Sequence, residues 1–169
     1  MRSLYAASFD PITKGHEWII KNAPGNLTIA VANNANKKHH FTMQQRFGLV
    51  TQSVMNIARE RTGGIDVLML NENIYLADFA KEKEIAYLIR GVRGVADYEY
   101  EKAYADVNRS IEDGLIHLLM VPPPELGAVS SSMVRSLVGP KGWENVVAKY
   151  VSLHVVEAFR ANPLQLFSI

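Results

Sequence analysis

Short, nearly continuous apolar runs alternate along the chain with longer stretches in which apolar positions recur at helical spacing. Runs of this kind, rich in aliphatic and β-branched residues, are typical of strands that are covered by helices on both faces. The pattern therefore predicts a sheet of parallel strands. Five strands are expected, at residues 4–7, 27–33, 65–70, 86–89 and 115–121.

The amphipathic stretches between these runs predict helices, several of which end at glycines. The helices are expected at residues 16–22, 42–62, 74–83, 97–113 and 131–138, followed by a pair within 144–160. Strands that alternate with helices in this way predict an α/β fold. We expect a five-stranded parallel, doubly wound, Rossmann-like sheet with helices on both faces.

The length of 169 residues fits one domain, which we expect to span residues 1–160. An apolar tail, residues 161–169, follows it and is expected to pack on the domain or on a neighbouring subunit. Three consecutive prolines at 122–124 predict an extended segment after the fifth strand.

The composition limits the kind of partner. Lys and Arg number 18 and Asp and Glu 17, so the formal net charge of +1 provides no general attraction to nucleic acid or to an anionic membrane. The sequence contains no cysteine, which excludes disulfides, thiolate nucleophiles and cysteine-ligated metals. No run approaches the ~18 apolar residues of a membrane span, and no signal-peptide pattern opens the chain. We expect a cytoplasmic protein that binds neither nucleic acid nor membrane.

A doubly wound sheet binds its ligand at the carboxyl ends of its strands, where the strand order reverses. The segment after the first strand begins at Ser8 and reaches Gly15 and His16 as a helix opens. A polyphosphate fits such a helix start, with Gly15 allowing close approach and His16 donating from its imidazole. The spacing fits equally well a plain helix cap, in which Asp10 or Thr13 satisfies the backbone and His16 is merely exposed.

A polar, basic loop, residues 33–40, follows the second strand. Its position at a carboxyl end makes Lys37 or Lys38 a candidate cation for phosphate, although a solvated charged loop is the usual interpretation. His39 and His40 are adjacent, and adjacent loop residues rarely supply matched metal ligands. We therefore expect both histidines to be solvated. Thr42 is expected to cap the next helix.

Two arginines bracket a glycine after the fourth strand: Arg90, Gly91 and Arg93. A planar guanidinium there can bind phosphate oxygens in bidentate fashion. The alternative is a pair of surface salt bridges from these arginines to the acidic helix start that follows. We favour ligand binding for Arg90, because it directly follows a buried strand.

Three hydroxyls and an arginine open the helix after the fifth strand. An N-cap accounts for only one of the hydroxyls, so a second anion-binding segment is expected there. Its residues are Ser130, Ser131, Ser132 and Arg135.

Three motifs carry a resemblance to a known family. Residues 8–16 resemble the signature (T/S)FDPxTxGH, residues 88–101 contain RGxRxxxDxEYE, and residues 129–135 resemble ISSSxx(R/K). The chain in these segments resembles the HxGH-type nucleotidyltransferases, and within them the phosphopantetheine adenylyltransferase family. The first signature is shared across the superfamily, whereas the other two are specific to the subfamily.

The resemblance implies transfer of the adenylyl group of ATP to 4'-phosphopantetheine, giving dephospho-coenzyme A and pyrophosphate in coenzyme A biosynthesis. It also implies Mg²⁺ as the helper ion, a homo-hexamer, and coenzyme A as a candidate feedback ligand. No metal ligand is expected on the protein itself.

The resemblance implies three catalytic residues. His16 would stabilise charge on the α-phosphate, Lys37 would bind the phosphates of both substrates, and Arg90 would hold the polyphosphate or the pantetheine phosphate. The other implied substrate- and ATP-binding residues are Ser8, Phe9, Gly15, Tyr75, Leu76, Gly91, Arg93, Asp97, Glu101, Ser130, Ser131, Ser132 and Arg135.

Some positions depart from the family pattern. Ala6 and Ala7 stand where Pro-Gly is usual, Gln44-Gln45 replaces an acidic pair, and residues 125–128 lack an aromatic. Two alternatives therefore stay open. One is a nucleotidyltransferase acting on another phosphate acceptor, such as glycerol phosphate or nicotinate mononucleotide. The other is a nucleotide-binding module without turnover.

Overall fold

The computed structural model describes residues 1–33, 38–70 and 74–163. Its centre is a sheet of five parallel strands in the order β3-β2-β1-β4-β5, which confirms the predicted sheet. The strands are β1 (Arg2–Ala7), β2 (Asn26–Ala32), β3 (Ile65–Leu70), β4 (Tyr87–Gly91) and β5 (Ile116–Met120).

The helices follow the strands in the predicted order. They are α1 (Lys14–Asn22), α2 (Met43–Ile57), α3 (Leu76–Glu82), α4 (Val95–Ile111), α5 (Ser131–Ser136), α6 (Trp143–Val147) and α7 (Leu153–Ala161). Short 3-10 helices cover Ala58–Glu60 and Pro124–Leu126.

Alternate side chains of the central strands enter two separate cores, as the period of two along a strand requires. On one face, Tyr5 and Ile29 pack with α1, α2, α5, α6 and α7. On the other face, Leu4 and Ala30 pack with α3 in a smaller core. Helices therefore cover both faces, and the predicted doubly wound arrangement is confirmed.

The strand order reverses at β1, because the chain runs outward through β2 and β3 and then returns to place β4 on the other side of β1. Helices on opposite faces leave the carboxyl ends of these two strands, which opens a crevice between them. The order of the strands in the sheet thus determines where the ligand-binding crevice forms.

The structure tests two local predictions, the cap of α2 and the segment of three prolines. Thr42 caps α2 as expected: its hydroxyl accepts a hydrogen bond from the Gln45 N–H at 3.2 Å, and the Gln45 side chain accepts one from the Thr42 N–H at 2.9 Å. The prediction of an extended segment over the three prolines was wrong at its last residue. Pro124 opens a 3-10 helix, since its fixed φ suits the first position of a helical turn.

None of the helices within the described residues has the length and hydropathy needed to cross a membrane. In the predicted tail, Ala161 is the last residue of α7, and residues 164–169 lie outside the described residues.

Candidate active site

A cavity of about 570 Å³ opens at the carboxyl ends of β1 and β4. Residues from four loops that are far apart in sequence line it. Of the residues predicted from the sequence, those lining it are Ser8, Phe9, Gly15, His16, Lys38, Arg90, Gly91, Arg93, Glu101, Ser130, Ser131, Ser132 and Arg135.

Some predicted residues are not brought to this cavity. Tyr75 precedes α3 with 64% of its surface exposed, and Leu76 packs on the smaller core of the sheet. Asp97 is paired with Arg93 and does not line the cavity. Lys37 lies outside the described residues.

His16 is the third residue of α1, and Thr13 is the N-cap. The backbone N–H of Thr13 donates to Nδ1 of His16 at 3.0 Å, and the Thr13 hydroxyl lies 3.0 Å from the same nitrogen. Because Nδ1 accepts, the proton of a neutral ring resides on Nε2. His16 is thus not merely an exposed residue beside a cap, since the cap itself sets its tautomer.

The surroundings of His16 keep it uncharged. The loss of hydration, together with the positive charge of Arg93, lowers its pKa to about 4. The Phe9 ring packs edge-on against the imidazole with centroids 5.1 Å apart. Phe9 has a φ of 48°, in the left-handed region that residues with side chains seldom adopt. Because the His16 ring is neutral, its Nε2–H can polarise a phosphoryl oxygen at pH 7 without first losing a proton.

Two buried residues, Asp10 and Arg46, hold the loops around the cavity; Asp10 was predicted only as a possible cap of α1, and Arg46 was not singled out. The Asp10 carboxylate accepts hydrogen bonds from the N–H groups of His40 and Phe41, each at 2.9 Å. Arg46 donates to the carbonyl oxygens of Ser8 at 2.7 Å and Ala32 at 2.9 Å. It thereby joins the ends of β1 and β2.

Arg46 also donates to Phe41 O at 3.2 Å and to Asn33 Oδ1 at 2.6 Å. Burial lowers its pKa, while the charge of Asp10 opposes that effect. The guanidinium is thus used to hold backbone oxygens and is not presented to a ligand. The only sequence signal was a basic residue inside an amphipathic helix, which by itself indicates a solvated side chain.

Arg90 lines the cavity but is not a free cation. Its Nε and Nη2 donate to the two carboxylate oxygens of Glu101, each at 2.7 Å, and its Nη1 donates to Ala6 O at 2.9 Å. Glu101 is buried. This bidentate pair fixes the guanidinium plane at the crevice edge.

Arg93 forms the salt bridge to the following helix that was predicted as the alternative to ligand binding. Arg93 donates to Asp97 from Nε at 2.8 Å and from its backbone N–H at 3.1 Å. The hydrogen bond from Arg93 lowers the pKa of Asp97. Asp97 therefore anchors Arg93 at the start of α4, and Arg93 alone of the two lines the cavity.

The three serines have different partners. Ser130 caps α5 by accepting from the Met133 N–H at 3.1 Å, and Ser131 donates to Pro11 O at 2.7 Å. Ser132 lies 3.2 Å from the Ser130 hydroxyl. Arg135 donates to the backbone oxygen of Asp10, with its carboxylate 3.4 Å away. The start of α5 is thus tied to the segment between β1 and α1.

The expectation that His39 and His40 are solvated was wrong. His39 lines the cavity beside Lys38, with 15% of its side chain exposed. The His40 ring stacks on Phe159 and its Nε2 lies 3.0 Å from Asn162 O. The Asp10 carboxylate accepts from the N–H groups of His40 and Phe41, so the backbone directly after His39 is held against the domain.

The charges that line the cavity suit an anion. Four cationic side chains face two carboxylates among the described lining residues: Lys38, Arg90, Arg93 and Arg135, with Asp10 and Glu101. Within the described parts of the chain, no three His, Asp or Glu side chains come together as metal ligands. Donors aimed at one crevice can neutralise charge on a transferring phosphoryl group.

Comparison with known proteins now bears on this site. Residues 4–137 match the cytidylyltransferase-like family. The phosphopantetheine adenylyltransferase of Chromobacterium violaceum is 37% identical over 155 residues, covering 89% of this chain and 90% of the relative. The phosphopantetheine adenylyltransferase of Petrotoga mobilis is 35% identical over 160 residues, covering 90% and 93%. The chain belongs to the phosphopantetheine adenylyltransferase family.

Solved structures support the fold of this family. The nicotinic acid mononucleotide adenylyltransferase of Plasmodium falciparum, complexed with NaAD, superposes with a TM-score of 0.69 and 16% sequence identity over 96% of both chains. At that identity the likeness concerns the fold alone. Membership of the phosphopantetheine adenylyltransferases therefore rests on the sequence relatives, and it agrees with the predicted resemblance.

Proposed function

We propose that this protein transfers the adenylyl group of ATP to 4'-phosphopantetheine, giving dephospho-coenzyme A and pyrophosphate in coenzyme A biosynthesis. The observation that carries the proposal is His16, a neutral imidazole whose Nε2 proton is fixed by the Thr13 N–H at the start of α1. The names of the relatives that span most of the chain favour 4'-phosphopantetheine over other phosphate acceptors.

The reaction needs no general base. A phosphate oxygen of the acceptor attacks the α-phosphorus, a new P–O bond forms, and the bond to the bridging α–β oxygen breaks as pyrophosphate leaves. The acceptor phosphate is mostly a dianion at pH 7, because its second pKa is about 6. Catalysis then rests on holding two anions in line and on stabilising the charge that develops between them.

Each part of the cavity has a role in this proposal. His16 donates to the α-phosphate, and Lys37 with Arg90 holds the reacting phosphates. The β- and γ-phosphates are bound by Ser130, Ser131, Ser132 and Arg135. The adenosine side falls to Gly15, Gly91, Arg93 and Glu101, with Asp97 anchoring Arg93 from outside the cavity, and the phosphates also contact Ser8 and Phe9. Contact of the pantetheine arm with Tyr75 and Leu76, which do not line the cavity, stays a prediction from the family resemblance.

Mg²⁺ is proposed to enter with ATP. The carboxylates of Asp10 and Glu101, which line the cavity, already face Arg135 and Arg90. The oxygens of the nucleotide therefore fit the ion better than these side chains do, in keeping with the way Mg²⁺ is usually bound by substrate phosphates and water.

Three further properties belong to the proposal. A cytoplasmic location fits a sequence without cysteine. A homo-hexamer fits the family resemblance and the exposed apolar side chains of α4 and β5, among them Tyr100, Val107 and Ile116. Feedback by coenzyme A fits a site that binds the product's pantetheine part. Light scattering and inhibition by added coenzyme A test the last two properties.

The decisive experiment measures pyrophosphate release from MgATP with and without 4'-phosphopantetheine, with His16→Ala protein as the control. Release that requires both the acceptor and His16 supports the proposal. Release only with glycerol phosphate or nicotinate mononucleotide would reassign the acceptor. ATP binding without release from any acceptor would leave a nucleotide-binding module.

A further inference from the structure

Lys14 is the first residue of α1, the helix that carries His16. The N-terminal end of a helix carries partial positive charge, so a lysine is disfavoured at this position. Lys14 does not line the cavity, and the proposed reaction does not use it. Its charge is bound instead by a part of the chain that is distant in sequence.

The Lys14 ammonium is bound by the α6–α7 turn, residues 148–152. Nζ donates to Ala148 O at 3.0 Å and to Lys149 O at 2.9 Å. Ala148 is the C-cap of α6, and carbonyl oxygens at the end of a helix favour a cation. The backbone N–H of Lys14 donates to Tyr150 O at 2.9 Å. Three hydrogen bonds from one residue therefore fasten the start of α1 to this turn.

A second contact with the same turn comes from the residue that follows His16. Oε1 of Glu17 accepts hydrogen bonds from the hydroxyls of Ser152 at 2.8 Å and Ser53 at 2.7 Å. The turn itself is anchored, because Val151 is buried in the larger core. His16 thus lies between two residues that are bound to one fixed segment.

The orientation of the His16 ring depends on the first turn of α1. The N–H that donates to its Nδ1 at 3.0 Å belongs to Thr13, the residue directly before Lys14. This bond keeps its geometry only while the backbone on both sides of Lys14 stays in place. A catalytic group that is misplaced by about 1 Å can lower a rate about 10²-fold. Freedom at the helix start would therefore reach the Nε2–H of His16.

We propose that Lys14 is a positioning residue for His16. By fastening the start of α1 to the α6–α7 turn, it holds the imidazole in the orientation and tautomer that donate to the α-phosphate. The role of the imidazole in adenylyl transfer rests on the proposed function. Because Lys14 does not line the cavity, its loss is expected to lower turnover and to leave ATP binding nearly unchanged.

Steady-state kinetics of Lys14→Met, made in wild type and in His16→Ala protein, test this. We expect Lys14→Met to lower kcat about tenfold in wild type and to leave the KM for ATP within about twofold. In His16→Ala protein the same change should alter kcat less than about twofold, because a residue that acts through the ring has no effect without it.

The matched control is Lys21→Met. Lys21 lies in the last turn of the same helix and pairs at the surface with Glu60. Its replacement should change kcat less than about twofold. Lys14→Arg is the conservative variant, since a guanidinium can donate to both carbonyl oxygens of the turn, and it should keep at least about a third of the turnover.

Nitrogen-15 NMR of the imidazoles tests the positioning without turnover. The His16 ring is neutral at pH about 7, and the measurement identifies the nitrogen that carries the proton. We expect the Nε2–H tautomer alone in wild type, Lys21→Met and Lys14→Arg. In Lys14→Met we expect a mixture of both tautomers.

Two results would overturn the inference. One is an equal loss of kcat from Lys14→Met with and without His16, and the other is the Nε2–H tautomer alone in Lys14→Met. If Lys14→Met does not fold, Lys14→Gln, which keeps a donor but not the charge, replaces it in both measurements. Absence of pyrophosphate release by wild type would count against the proposed function only, because the NMR comparison needs no turnover.

Discussion

The backbone N–H of Thr13 donates to Nδ1 of His16 at 3.0 Å and so assigns the ring proton to Nε2. Because its free N–H is on Nε2, His16 can donate to a phosphate while neutral. His39 on the same cavity wall has no proton fixed in this way, since its Nδ1 lies 3.6 Å from Oδ2 of Asp10, beyond hydrogen-bond distance.

Replacing His16 by Ala removes a donor whose contribution is greatest in the transition state. We expect turnover to fall about 10²- to 10³-fold, whereas the Kd for ATP changes less than about threefold. Steady-state kinetics and calorimetric binding of ATP measure the two quantities. Equal losses in turnover and in binding would contradict a transition-state role.

The low pKa of His16 makes stability depend on pH. Unfolded His16 takes up a proton below about pH 6.5, whereas folded His16 does so only near 4, so the unfolded state binds more protons between these values. Stability is therefore lost as pH falls through this window, by up to about 1.4 kcal/mol per pH unit from this residue. Urea unfolding of wild type and His16→Gln checks this, and parallel pH profiles would contradict it.

Arg46→Met is expected to lower the free energy of unfolding by about 3 kcal/mol, since it leaves the carbonyl oxygens of Ser8 and Ala32 without their buried donor. Arg109→Met, at an exposed arginine paired with Asp106, is the control and should change stability by less than about 0.5 kcal/mol. Urea unfolding measures both, and similar costs would show that the carbonyl contacts of Arg46 are dispensable.

A methyl group at Gly91 would lie 2.5 Å from Cδ1 of Ile19, on the helix that carries His16. Gly91→Ala is therefore expected to cost about 1–3 kcal/mol by overpacking. Ile19→Val alone should cost about 1 kcal/mol, yet in the double variant it removes the clashing atom. The double variant should be more stable than the sum of the single effects predicts, and additive values would contradict the contact.

The ion pair of Arg90 and Glu101 should show strong coupling, because it is bidentate and buried. Glu101→Gln leaves a buried guanidinium without its counter-charge, and we expect a loss of about 3 kcal/mol in unfolding free energy. Adding Arg90→Gln to Glu101→Gln should recover much of that loss in unfolding free energy, and a double-mutant cycle measures the coupling between the two side chains. A coupling energy near zero would mean that each side chain is solvated in the folded protein.

The fold was largely predictable because its signal is local. The apolar runs of β1 and β2 are nearly continuous, which indicates central strands, and Thr42 with Gln45 forms a capping box that can be recognised from the sequence. The cluster of predicted residues at one cavity follows from the same topology, since the carboxyl ends of parallel strands share one edge of the sheet.

The roles of individual polar residues were less predictable, because they depend on contacts between distant segments. Arg46 reaches the carbonyl of Ser8, 38 positions away, and nothing in its local sequence distinguishes it from a solvated arginine. His39 was expected in solvent because its loop is polar. Its burial depends on Asp10 holding the loop backbone, which is a tertiary interaction.

β1 lies in the middle of the sheet, with β2 on one side and β4 on the other. During synthesis on the ribosome, β1 can pair with β2 early, yet its other edge has no partner until residue 87 has emerged. An unpaired edge of this kind is a template for strands of other chains. The nascent chain can therefore mispair at this edge of β1 in that interval, and pairing with β4 closes the edge.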